Sequence, residues 1–397
     1  MNAAVMEEEN VMAGPNDEAA MPAAVEDPEP ISRLSMLRRF ESAFEWCFGM
    51  VTIVVGLAVL AAVPVLNFLS LGYLLRVSGN VAATGRLRDG FIGVRKAARA
   101  GGIIAGTWLV LLFARFVSGL WQDAELIAPG SGKARGFGIA VVILTVLTVI
   151  HIGWAWARGG RLRSFFWPAP ISLWRRLRNP GRFEDYREAV LGYLESLRLP
   201  YYFWLGARGF GGALCWLLPP VAILIGASYL PVGGGVVLSL IGGLGLFLVV
   251  LYLPFLQVNF VLQDRLLAMF EWREVRRMFC RAPIALWFAL FITLLFALPL
   301  YLLKVELTPK EVAWLPGLVF VLFIFPARSL TGWAVSRARR REGDAFFLFR
   351  WMMRLLELPV VGFYVLFVYL SQFYSWDGVY SLLEQHAFMV PAPLMGM

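Results

Sequence analysis

Gly209–Gln263, GFGGALCWLLPPVAILIGASYLPVGGGVVLSLIGGLGLFLVVLYLPFLQVNFVLQ, runs 55 residues without one Asp, Glu, Lys or Arg. At about 20 apolar residues per bilayer crossing, that is two membrane spans joined by a tight turn. The turn falls at Pro231, Val232 and Gly233–Gly235, where proline fixes the backbone and glycine frees it.

Comparable runs lie on both sides. Phe48–Leu75, Gly101–Trp121 and Gly136–Ala157 precede the stretch; Ala282–Leu303, Val312–Ala327 and Leu358–Trp376 follow it. With Gly209–Leu230 and Gly234–Gln263 the candidates number eight. The composition agrees, since 59% hydrophobic and 16% charged residues in a 397-residue chain is more apolar surface than a soluble protein buries. The expected fold is all-α, a polytopic transmembrane helical bundle of seven or eight spans with interfacial amphipathic helices.

The bases orient it. Of 36 Lys and Arg, 28 fall in four of the seven connections, which carry 6, 10, 5 and 7 in chain order, while the three alternating with them carry 2, 0 and 2. By the positive-inside rule the basic connections are cytoplasmic. The formal charge of +9 understates this, because eight acidic and no basic residues lie in the first 30 positions; from Ile31 onward the balance is +17. These arginines flank apolar spans, so the lipid bilayer and its anionic headgroups are the expected partners rather than nucleic acid. An unidentified membrane-protein partner also fits.

One parity does not close. Eight crossings put both termini outside, yet Arg33, Arg38 and Arg39 immediately precede the first run. That run has 28 residues with Pro64 and Asn67 near its middle, so a hairpin is the alternative to a single crossing. The other internal prolines, Pro219, Pro220, Pro254 and Pro299, are expected to bend or break their helices.

The organisation then reads as a disordered acidic tail over 1–30, an interfacial amphipathic helix over 31–47, a transmembrane domain over 48–376 and a short C-terminal tail over 377–397. Within the domain, 158–208 is a basic cytoplasmic segment with two short surface helices. Ile171–Arg178 offers Arg175, Arg176 and Arg178 to lipid headgroups, and Phe183–Leu197 is amphipathic.

The stretch Pro64 Val65 Leu66 Asn67 followed by Gly72 Tyr73 Leu74 Leu75 Arg76, with Asp89 and Gly90 beyond, resembles the N-terminal signature of an uncharacterised family of bacterial multipass membrane proteins. The resemblance covers about the first 120 residues. It implies a bacterial inner-membrane protein and no particular chemistry.

Polar residues inside the runs are the candidate site. Arg115 sits six residues before Trp121, about 9 Å inside the outer end, where it can bind an anion or snorkel to the headgroups. Asn67, His151, Gln257 and Asn259 each fall five to nine residues from a charged run end, about 8–14 Å beneath the cytoplasmic surface. Arg328 joins them if its helix continues to Arg337. They form either a polar pocket or interhelical hydrogen-bonding glue. Clustered glycines, including Gly102 and Gly106, point to close helix contacts.

No Asp or Glu lies inside an assigned run, which argues against a proton- or sodium-coupled carrier. HExxH, GxSxG and Walker A patterns are absent, and so is support for an enzyme. Two histidines, His151 and His386, and the isolated Cys47, Cys215 and Cys280 offer no usual zinc or iron site, and no cofactor is expected. The leading reading is a membrane scaffold or lipid-interacting component. The alternative is a transporter or channel for an anionic or amphiphilic solute using Arg115, His151 and Arg328.

Overall fold

The computed structural model describes residues 33–167, 183–302, 314–375, 378–385 and 387–389. Regular structure among them is entirely helical. Eight helices are long and apolar enough to cross a bilayer. The chain divides into two compact units, Met1–Ala43 and Phe44–Met397. Of the first, Arg33–Ala43 are described and helical; the acidic segment over 1–30 lies outside the described residues.

Among the described residues no helix boundary falls at 47. Helix α1 runs unbroken over Arg33–Ala62, because neither proline nor a capping residue interrupts the chain where the amphipathic pattern gives way to the apolar one. It stops ahead of Pro64, whose ring disfavours helix in the residue before it. Val65 adopts φ +69°, and the Asn67 N–H donates to the Val63 carbonyl at 3.0 Å. Helix α2 (Asn67–Thr84) then begins. Gly85 ends it at φ +74° with its N–H on the Val81 carbonyl, a left-handed helix cap.

The pair α1 and α2 is an antiparallel hairpin. Near its turn the Ser70 hydroxyl donates to the Leu57 carbonyl at 3.1 Å. The connection after α2 packs back on both helices: Trp46 of α1 lies edge-on against Phe91 at 5.5 Å, and the Tyr73 hydroxyl of α2 donates to the Ile92 carbonyl at 3.0 Å. The first apolar run is therefore two helices folded back on each other, and the first of them, over Arg39–Ala62, is itself long and apolar enough to cross a bilayer.

The remaining long helices are α3 (Val94–Ile127), α4 (Gly132–Ala157), α7 (Leu199–Ala227), α8 (Val232–Gln263), α10 (Pro283–Leu302), α11 (Trp314–Arg340) and α12 (Phe347–Ser371). Shorter pieces lie between them: α5 (Leu162–Phe166), the amphipathic α6 (Phe183–Ser196) and α9 (Trp272–Arg281). A helix is present over Phe183–Ser196, where Phe183–Leu197 was expected to form one, whereas Ile171–Arg178 lies outside the described residues. Of the internal prolines only Pro64 interrupts a helix; Pro219, Pro220, Pro254 and Pro299 sit within continuous ones.

Lipid is as apolar as leucine, so these helices gain by close packing rather than by burial from water. The tightest crossing is between α2 and α7. A Cβ on Gly72 would strike the Tyr202 carbonyl, and one on Gly206 the Phe68 carbonyl, so only glycine admits this approach. Helix α11 runs along the hairpin, with Gly317 against the Ala58 backbone and Gly332 against the Ser78 backbone. Leu217, Leu253, Leu286, Val335 and Tyr364 fill the core between α7, α8, α10, α11 and α12. In its most apolar window α11 is 61% buried, against 6% for α3 and for α4, which pack on each other and present their other faces outward.

Candidate functional site

The base-rich connections meet at one end of the bundle. Arg340, closing α11, donates to the Thr84 carbonyl at the end of α2. Lys96, opening α3, donates to the Ser196 carbonyl at the end of α6 at 2.9 Å, and the Tyr193 hydroxyl returns a bond to the Lys96 carbonyl at 2.8 Å. Arg208 pairs with Asp264 at 2.9 Å, and the Ala345 N–H donates to the Cys280 carbonyl at 2.8 Å. All four connections that carry the excess of bases are thereby joined.

A cleft of about 950 Å³ opens at this end. It lies between the start of α10, the last turns of α11 and the link into α12, with Gly85 at its edge. Trp287, Phe288, Trp333, Phe346 and Phe349 give it aromatic walls. Arg337, Arg340 and Arg341 give it charge, and all three are exposed. Arg337 lies over the Trp333 ring at 4.8 Å. None of the three forms an ion pair among the described residues.

The residues expected to form one polar pocket are distributed differently. Arg328 and Gln257 do meet: helix α11 continues to Arg340, and Arg328, 2% exposed, donates to the Gln257 side-chain oxygen. Both also hold the C-terminal segment. Arg328 donates to the Phe388 carbonyl at 3.2 Å, and the Gln257 amide donates to the same oxygen at 3.0 Å. The tail is thus part of the core, with Leu382 and Phe388 fully buried. It comes in by the α7–α8 turn, where the Tyr229 and Tyr380 hydroxyls lie 3.5 Å apart.

Asn259 belongs elsewhere. Its amide donates to the Ala268 carbonyl and to Glu271, each at 3.0 Å; Gln263 donates to Glu271 at 2.8 Å, and Arg265 pairs with Glu271 at 3.3 Å. Donation from Gln263 and Asn259 holds the Glu271 carboxyl below the usual glutamate range. This network fastens the end of α8 to the connection after it.

The remaining candidates lie apart from these. Asn67 opens α2 at the hairpin turn, about 27 Å along that helix from Gly85, because the run folds back on itself. His151 has a structural contact: its Nε2 lies 2.8 Å from the Phe165 carbonyl and ties α4 to α5. Arg115 is exposed on α3 and makes no hydrogen bond or ion pair among the described residues. Arg115, His151 and Arg328 therefore do not converge on a solute site.

Sequence reading also missed a buried acid. The expected run began at Leu358, but α12 starts at Phe347, which places Glu357 inside the helix at 5% exposure. It lines a 360 Å³ cavity with Arg276 and Arg354, so the statement that no carboxylate lies within a span does not hold. The three charges beside the run end had masked the helix start. Of the expected headgroup contacts, Arg175, Arg176 and Arg178 lie outside the described residues.

No protein-family model, curated protein or solved structure matches the chain.

Proposed function

We propose that this chain is a multipass component of a bacterial inner membrane that engages anionic lipid through one basic end, as a scaffold or lipid-interacting protein. The observation that carries the reading is the meeting of four base-rich connections at a single end of an apolar bundle. Cationic side chains beside apolar spans favour anionic headgroups by about 1 kcal/mol each near the surface. The positive-inside rule makes this end cytoplasmic. By sequence, Arg175, Arg176 and Arg178 add to the charge of one of these connections, and the outward faces of α3 and α4 leave room for a membrane-protein partner.

The reading assigns no catalytic chemistry. A solute carrier built on Arg115, His151 and Arg328 has no support from their placement, since one faces outward, one ties two helices and one anchors the tail.

Thermal unfolding of the purified chain in phosphatidylcholine nanodiscs, with and without phosphatidylglycerol, tests the proposal. The anionic lipid is expected to raise the midpoint, and added salt to reduce the gain. Equal midpoints in both lipids at low salt would refute it.

A further inference from the structure

Resting on that reading, we propose that the cleft between α10, α11 and the link into α12 is a stoichiometric binding site for one anionic glycerophospholipid. The charge is of one sign: Arg337, Arg340 and Arg341 line the cleft, and no Asp or Glu does. Glu342 and Asp344 lie in the same link but do not line the cleft, and Asp344 is paired with Arg350 at 2.7 Å.

Two residues that line the cleft also carry buried donors with no hydrogen-bond partner. Ser336 is 1% exposed, lines the cleft, and its hydroxyl has no hydrogen-bond partner. A serine inside a helix ordinarily bonds back to the carbonyl one turn earlier, as Thr331 does to Ala327 at 2.8 Å. Ser336 does not. The Trp287 indole N–H, on the facing helix, also lines the cleft and is buried without an acceptor. An unsatisfied buried polar group costs about 1–3 kcal/mol. Both atoms are closed to water as the cleft stands, so a small shift of the lining brings them to a bound ligand's acceptor oxygens.

A diacyl phospholipid supplies them in the right order. Its phosphate takes the arginines at the mouth, its ester oxygens accept from Ser336 and Trp287, and its chains leave along Ile284, Phe288, Phe346 and Phe349, which are 40–61% exposed. The 950 Å³ volume suits a headgroup with the upper part of its chains. A free phosphate ester would satisfy the arginines and leave the aromatic wall bare.

The test is native mass spectrometry of the full chain titrated with phosphatidylglycerol, phosphatidylcholine or glycerol 3-phosphate, with unfolding midpoints recorded for every variant. One tightly held phosphatidylglycerol per chain is expected. Arg337→Gln with Arg341→Gln, which spares the Arg340 bond to Thr84, should weaken it about tenfold, and Ser336→Ala severalfold. Arg86→Gln with Arg88→Gln, basic but outside the cleft, should leave that site intact. Equal weakening by the two double variants would overturn the cleft site while sparing the general lipid preference. Glycerol 3-phosphate competing as well as the lipid would overturn the role of the chains. If the arginine pair proves unstable, wild-type retention together with Ser336→Ala decides, and no anionic preference in the wild type would defeat both readings.

Discussion

The Arg328 guanidinium donates to the backbone carbonyl of Phe388, sixty residues later, at 3.2 Å. A charged side chain inside an apolar bundle is thereby spent on holding a segment of main chain, with Gln257 converging on the same oxygen. Phe388 in turn fills the core between α8 and α11, so the end of the chain completes the bundle.

Arg328→Met should free that segment. Removing the charged donor costs about 1.5–3 kcal/mol, which raises the population of the undocked tail about tenfold or more. A cysteine placed at Met389 reports it, and maleimide labelling of Met389→Cys should accelerate by that factor in the Arg328→Met background. Gln257→Leu, which loses a neutral bond, should give a smaller effect. An unchanged labelling rate would mean that the tail is held by packing alone.

The α2–α7 crossing is expected to tolerate no side chain. Gly72→Val and Gly206→Val each place atoms on the opposing backbone, where nothing flexible can yield, and overpacking of this kind costs about 1–3 kcal/mol or more. Gly211→Ala, whose Cβ would meet open space, should be neutral. Unfolding midpoints of the three variants in detergent distinguish the sites.

Glu271 supplies a pH dependence. Its carboxyl is held below the usual range by donors from Gln263 and Asn259, so its contribution to stability is fully present above the unfolded-state value, about pH 4.3, and is lost as pH falls through the lower folded-state value. The unfolding midpoint of the wild type should drop through that acid window. Glu271→Gln should remove this part of the drop, most visibly at low salt.

The extent to which sequence discloses this molecule depends on the range of the interaction. Gly209–Gln263 shows its two spans plainly because a charge-free run of that length has few other solutions in water or lipid. The hairpin at Pro64 was visible only as an alternative, since a proline within an apolar run fits either a kink or a turn; the Ser70–Leu57 contact decides it. Gln257 and Asn259, two residues apart, look like one site in sequence, yet they point to different partners, Arg328 on one side and Glu271 on the other. The docked tail left almost no trace. Leu382, Phe388 and Met389 show no helical period, and the groups that hold them are about sixty and 131 residues away. Ser336 has no sequence signal at all, because an unpartnered hydroxyl is defined by what surrounds it.

Sidedness tests the central claim most directly. In a background with Cys47, Cys215 and Cys280 replaced, single cysteines at Arg88, Asp264 and Gly343 mark basic connections, while Ser131 and Ser228 mark turns at the opposite end. Labelling with a membrane-impermeant maleimide should reach Ser131→Cys and Ser228→Cys from outside intact cells, and the other three only after permeabilisation. Labelling of Arg88→Cys from outside, with Asp264→Cys and Gly343→Cys protected, would contradict the α1–α2 hairpin and the single basic end built on it.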